Sequence, residues 1–121
     1  EAKSGDPVTS EILLKSCLRM KPDRILLAEL RGAEAYDYLQ VLSSGHGGSI
    51  TSVHAGSCSL ALKRLSSMAG NNPSAKNISS EQLNQDFRDV IDIVVHIEAH
   101  SGVRKFSDVY FKEAIDENKV T

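Results

Sequence analysis

After Thr9 the residues Leu13, Leu14, Cys17, Leu18 and Met20 recur at helical spacing behind an acidic first-turn residue, Glu11. That pattern predicts a helix capped by Thr9 and stopped by Pro22. Residues 24–30, RILLAEL, change period. Consecutive apolar side chains, in a run too short for a free-standing helix, predict a strand buried on both faces. A second helix opens at Gly32, with Ala35, Tyr36, Leu39 and Leu42 as its stripe, and stops at Ser43, Ser44 and Gly45. The glycine-rich loop GHGG then leads into residues 49–54, where Ile50 and Val53 among small polar and β-branched residues predict a second strand. Gly56 and Ser57 begin a third helix carrying Leu60, Ala61, Leu65 and Met68, and residues 70–77, with Asn71, Asn72 and Pro73, read as a loop.

Ser79 and Gln82 form a capping box for a fourth helix whose stripe is Leu83, Phe87 and Val90. Residues 91–97 are apolar enough for a strand, and His100, Ser101 and Gly102 turn the chain toward Phe106, Val109 and Phe111. The two segments make a hairpin. Residues 1–8 read as an entering surface loop, and the charged residues 112–121 are expected to fray. Helix, strand, helix, strand, two helices and a hairpin imply an α/β fold, an open sheet with a parallel core. Such sheets bind ligands beyond the carboxyl ends of their strands, which directs attention to residues 29–32 and 54–56.

Composition narrows the function classes. At 121 residues the chain is one domain or less. A formal charge of −2 supplies no overall basic field, so direct nucleic-acid binding is not expected. No apolar run is long enough to span a bilayer. Cys17 and Cys58 fall in helical stretches and cannot staple a small secreted fold, which fits a reducing cytoplasm. The chain opens on Glu1 with no targeting segment and reads as a piece of a longer protein.

The first strand delivers Glu29 and Arg31 to the ligand edge two residues apart, hence on one face, just before Gly32. A carboxylate at the end of a buried strand is what nucleotide hydrolysis uses to hold Mg²⁺ and orient water. The same spacing also serves a plain ion pair. His46 and His54 bracket the second strand. Their spacing matches no compact metal set, whereas an imidazole beside a glycine loop can donate to a phosphoryl oxygen and change partner when it leaves. Arg19, Lys21 and Arg24 flank Pro22 as a hydrated basic turn, and Lys63 and Arg64 line a helix face. Cys58 has no local group to lower its pKa. His96 and His100 read as surface residues of the hairpin.

Residues 17–56, CLRMKPDRILLAELRGAEAYDYLQVLSSGHGGSITSVHAG, resemble the Walker B and His-box region of the traffic ATPases of type IV secretion. DVIDIVVHIEAH, residues 89–100, is similar to the end of the same domain. Motors of type II secretion and type IV pili have similar boxes, with an acid more often where Gly32 stands. The resemblance implies a RecA-like P-loop ATPase core with a C-terminal β-hairpin, of which residues 1–121 are the C-terminal portion. It implies a homo-hexameric, Mg²⁺-dependent ATPase, cytoplasmic and peripheral at the inner membrane, working with the secretion machinery there. Glu29 would be the catalytic glutamate and a water-mediated Mg²⁺ contact, and Arg31 a phosphate- or interface-facing neighbour. His54 would sense the γ-phosphate of ATP, with His46 at the same box. Ala28 stands where glycine is commoner. The chain has no Gly-x4-Gly-Lys-Ser/Thr, so the phosphate-loop half is expected upstream. A non-catalytic assembly module, and a small metal-dependent hydrolase using Glu29, His46 and His54, are the competing readings.

Overall fold

The computed structural model describes residues 8–112. Its elements run α1 (Ser10–Arg19), β1 (Leu26–Leu27), α2 (Glu34–Ser43), β2 (Ile50–Thr51), α3 (Cys58–Gly70), a short 3₁₀ turn (Pro73–Ala75), α4 (Ser80–Val90), β3 (Ile93–His100) and β4 (Val103–Phe111). The mixed order of helices and strands follows the hydrophobic pattern. The charged tail beyond residue 112 lies outside the described residues, as do residues 1–7.

The helix starts are local chemistry. Thr9, Ser57 and Ser79 sit in extended backbone, and their hydroxyls accept from the amides of Ile12, Leu60 and Gln82. Each satisfies a donor that the first turn cannot pair. The capping box at Ser79 is half made, because the Gln82 amide turns forward to Asp86 Oδ1 at 2.7 Å rather than back. The loop expected between α3 and α4 folds into the 3₁₀ turn because Asn72 is buried there. It donates to the Ala33 carbonyl at 3.0 Å and the Asp37 carboxylate at 3.1 Å, and accepts from the Ser74 amide.

α2, α3 and α4 pack around one core, in which Phe87, Leu30, Leu39, Leu62 and Leu83 are the largest fully buried side chains. The buried stripe of α2 is Ala35, Tyr38, Leu39 and Val41, a rotation away from the expected one, and Tyr36 and Leu42 pack only at its margin. Ile25 and Leu30 anchor the first strand segment in this core.

β1 and β2 pair in parallel, with Leu26 opposite Ile50 and Leu27 opposite Thr51. Regular pairing is shorter than the apolar run. Ser49 Oγ accepts from the Ile25 amide at one end, and Ser52 Oγ donates to the Ala28 carbonyl at the other. Side chains thus replace ladder bonds, and backbone pairing resumes where the Leu30 amide meets the Ser52 carbonyl at 2.9 Å. The expectation of burial on both faces is corrected here. Leu26 is 73% exposed, because among the described residues nothing packs on the outer face of this pair.

β3 and β4 form the antiparallel hairpin as a separate sheet. Its register slips between His96, opposite Asp108, and Ile97, opposite Phe106, so Ser107 is an extra residue on β4. This bulge reverses the side-chain alternation, bringing Phe106 onto the face that carries Val109 and Phe111.

Candidate functional site

The first strand segment ends by handing Glu29 out of the core. Leu30 is buried on one side, Ser52 fixes the Ala28 carbonyl on the other, and the Glu29 carboxylate is left 18% exposed at the carboxyl end of the parallel pair. Arg31, two residues on, returns along the same face, and its Nε donates to Glu29 Oε2 at 2.7 Å. His54 arrives from the end of the second strand segment, with its Nε2 3.0 Å from Glu29 Oε1. The imidazole Nε2–H donates, because an ionised carboxylate only accepts. The geometry therefore gathers Glu29, Arg31 and His54 into one cluster. Its carboxylate is sheltered, whereas the Arg31 and His54 side chains are 58% and 85% exposed.

Glu34 completes the support. It lies in the first turn of α2, and its Oε1 accepts from the backbone amides of Arg31 at 2.8 Å and Gly32 at 3.0 Å. Ala33, the residue at the cap, offers no side-chain bond, so Glu34 ties down the turn before the helix, while the Ala35 and Tyr36 amides reach the Gly32 and Ala33 carbonyls. Gly32 does not need glycine's left-handed backbone here, since positive φ angles among the described glycines fall at Gly45, Gly48 and Gly102. What Gly32 provides is close approach, because an added Cβ would lie 3.0 Å from Glu34 Oε2.

His46 goes elsewhere. It precedes β2, at the amino end of the strand pair, where its Nδ1 lies 3.3 Å from Ser44 Oγ and its carbonyl accepts from Ser49 Oγ. Parallel pairing places this loop beside Arg24, whose Nε lies 3.0 Å from where a Gly48 Cβ would sit. Among the described residues, no group of three or more His, Cys, Asp or Glu side chains could hold a metal ion. Burial pushes the Cys58 thiol up, with Asp108 adding to it, so that thiol is inert.

His96 is the residue that sequence reasoning missed. Its side chain is 14% exposed, with Nε2 3.0 Å from the Ala55 carbonyl and Nδ1 2.6 Å from Ser107 Oγ. Alternation placed it on a strand, but its partner lies 41 residues away, and no local pattern encodes that contact.

Residues 3–112 match the family model described as type II/IV secretion system protein. The chain belongs to that family. It is 51% identical over 118 residues to the type IV secretion system protein VirB11 of Brucella suis, covering 92% of this chain and 32% of the relative. It is also 41% identical over 111 residues to the type IV secretion system protein PtlH of Bordetella pertussis, covering 89% and 33%. The crystal structure of the VirB11 ATPase from the Brucella suis type IV secretion system, in complex with sulphate, superposes with a TM-score of 0.81 at 52% identity. That match covers 87% of this chain and 32% of that one. The chain thus spans about a third of the length of the curated relatives it matches. Among the described residues, no helix is long and apolar enough to cross a membrane.

Proposed function

We propose that residues 1–121 are the C-terminal portion of a RecA-like ATPase domain, and that the parent protein is an Mg²⁺-dependent ATPase driving type IV secretion. The observation that carries this reading is the Glu29 carboxylate, sheltered at the carboxyl end of the strand pair and held between Arg31 and His54. The relatives named as type IV secretion proteins, one described as an ATPase, favour this reading over a type II or pilus motor. The Gly-x4-Gly-Lys-Ser/Thr phosphate cradle would come from the part of the parent outside this chain. The parent would act as a homo-hexamer with the inner-membrane machinery, in the cytoplasm and peripheral to that membrane.

The donor set fits Mg²⁺ and ATP. One sheltered carboxylate suits a water-mediated contact with the ion, and two exposed basic side chains suit phosphoryl oxygens. Mg²⁺ neutralises developing charge on the phosphates when bound. Glu29 orients the attacking water and receives its proton, and Arg31 holds that carboxylate in place through its bond to Oε2. His54, the most exposed of the three, is free to exchange its bond to Glu29 for one to a phosphoryl oxygen and so report the γ-phosphate. His46, at the opposite end of the strand pair, would couple the glycine loop to a neighbouring segment rather than touch the phosphates.

In the full-length parent, Glu29→Gln should lower ATP turnover about a hundredfold or more with nucleotide affinity largely kept, the range for losing a positioned base. Steady-state kinetics with a parallel binding titration check this, and unchanged turnover refutes the assignment. The Glu29–Arg31 ion pair alone would also suit a non-catalytic assembly module, and a parent that hydrolyses no ATP would establish that reading instead.

A further inference from the structure

Three contacts tie the hairpin to the turn that follows His54. The His96 ring reaches the Ala55 carbonyl, Asp108 Oδ2 accepts from the Cys58 amide at 3.3 Å, and Cys58 Sγ donates to the Val94 carbonyl at 3.3 Å. The first lies nearest the site, because Ala55 is the residue next to His54. A carbonyl oxygen only accepts, so His96 carries a proton on Nε2, while Nδ1 faces the Ser107 hydroxyl at 2.6 Å and the Glu98 carboxylate at 3.7 Å. Ser107 can reach that nitrogen because it is the bulge residue. Both Ser107 and Asp108 lie opposite His96, where the Ser107 hydroxyl meets its ring and the Asp108 carboxylate reaches the Cys58 amide of α3. The bulge residue therefore holds one side of a largely buried imidazole whose other nitrogen holds the backbone beside His54.

We infer that His96 is a positioning residue: through the Ala55 carbonyl it aims His54 at Glu29 and links the hairpin to that contact. The inference rests on the ATPase reading of Glu29 and His54. The hydrogen bonds and ion pair of His96 run to Ala55, Ser107 and Glu98 rather than to Glu29 or the His54 ring, so it acts through the backbone. Movement of β3 and β4 relative to α3 would be passed to His54 by this bond.

The test uses the full-length parent. His96→Ala should lower kcat about tenfold with the KM for ATP little changed, as expected when a reacting group is slightly misplaced. His96→Gln, which keeps an N–H able to reach Ala55, should restore most of the rate. In a His54→Ala background, His96→Ala should cost nothing further, because the two act in series. In ¹⁵N-histidine-labelled protein the His54 ring resonances should move on His96→Ala. Ser107→Ala, a milder change, should lower kcat in the same direction and decides the matter if His96→Ala fails to fold. The inference is overturned if the His54 resonances stay in place, or if His96→Ala costs as much without His54 as with it. Unchanged kcat in both His96→Ala and Ser107→Ala, while Glu29→Gln abolishes turnover, overturns it too. Unchanged turnover in Glu29→Gln sinks the ATPase reading instead, and the His54 resonances still report whether His96 positions that ring.

Discussion

Among single residues, Asp37 shows how packing sets a charge. Burial against the helical body, with nearby Glu11 adding to it, holds its carboxyl above the ordinary value of 3.8, although Lys15 and the bond from Asn72 pull the other way. The folded pKa therefore exceeds the unfolded one. The favourable contribution is complete below the unfolded value and is lost as pH rises through the folded one, so at neutral pH the ionised carboxylate is a net cost. Solvent screening keeps that cost below about 1 kcal/mol. Asp37→Asn keeps an acceptor for Asn72 and removes the charge. Its Tm should exceed the native value at pH 7, with the difference shrinking as the pH is lowered toward 3.8. Thermal unfolding across that range checks it, and an equal or lower Tm at pH 7 contradicts it.

Among the elements, the glycine loop before β2 makes demands on its backbone at Gly45 and Gly48. Gly48 has φ +74 and packs beneath the Arg24 side chain, whereas a Cβ added at Gly47 would meet nothing within 4 Å, and Gly47 has no positive φ. An L side chain in the left-handed region costs about 1–2 kcal/mol. Gly48→Ala should lose about that much stability, while Gly47→Ala should stay within about 0.5 kcal/mol of the native chain. Denaturant unfolding of the pair separates a conformational demand from a general sensitivity of the loop. Equal losses would show that φ is not the cause.

For the molecule as a unit, the apolar surface left uncovered is the dominant fact. Leu26 and Ile50 lie on the outer face of the parallel pair, and β2 has one neighbour among the described strands. On the hairpin, Ile93 pairs with Phe111, Val95 with Val109 and Ile97 with Phe106, and all six side chains are exposed on one face. Open strand edges flanked by apolar side chains recruit other chains. The 121-residue chain by itself should therefore associate or exchange elements in solution, and should neither hydrolyse ATP nor bind it tightly. Light scattering at several concentrations, run beside a nucleotide titration, tests both parts. A monomer at every concentration, or ATP binding in the micromolar range, would contradict them.

What short-range physics controls was legible along the chain. The caps at Thr9, Ser57 and Ser79, the period of each helix and the hairpin turn at Ser101 and Gly102 are decided within a few residues of one another. Glu29 and Arg31 meet for the same reason, since alternation along an extended segment puts them on one side. His54 joins them because parallel pairing lays its strand beside theirs, and the strand pattern made that pairing legible. Long-range packing alone settled that Leu26 is uncovered and that His96 reaches Ala55. Those outcomes depend on register, on a one-residue bulge and on which faces find a partner. Each is decided between segments far apart in the chain, where hydrophobic periodicity supplies no address.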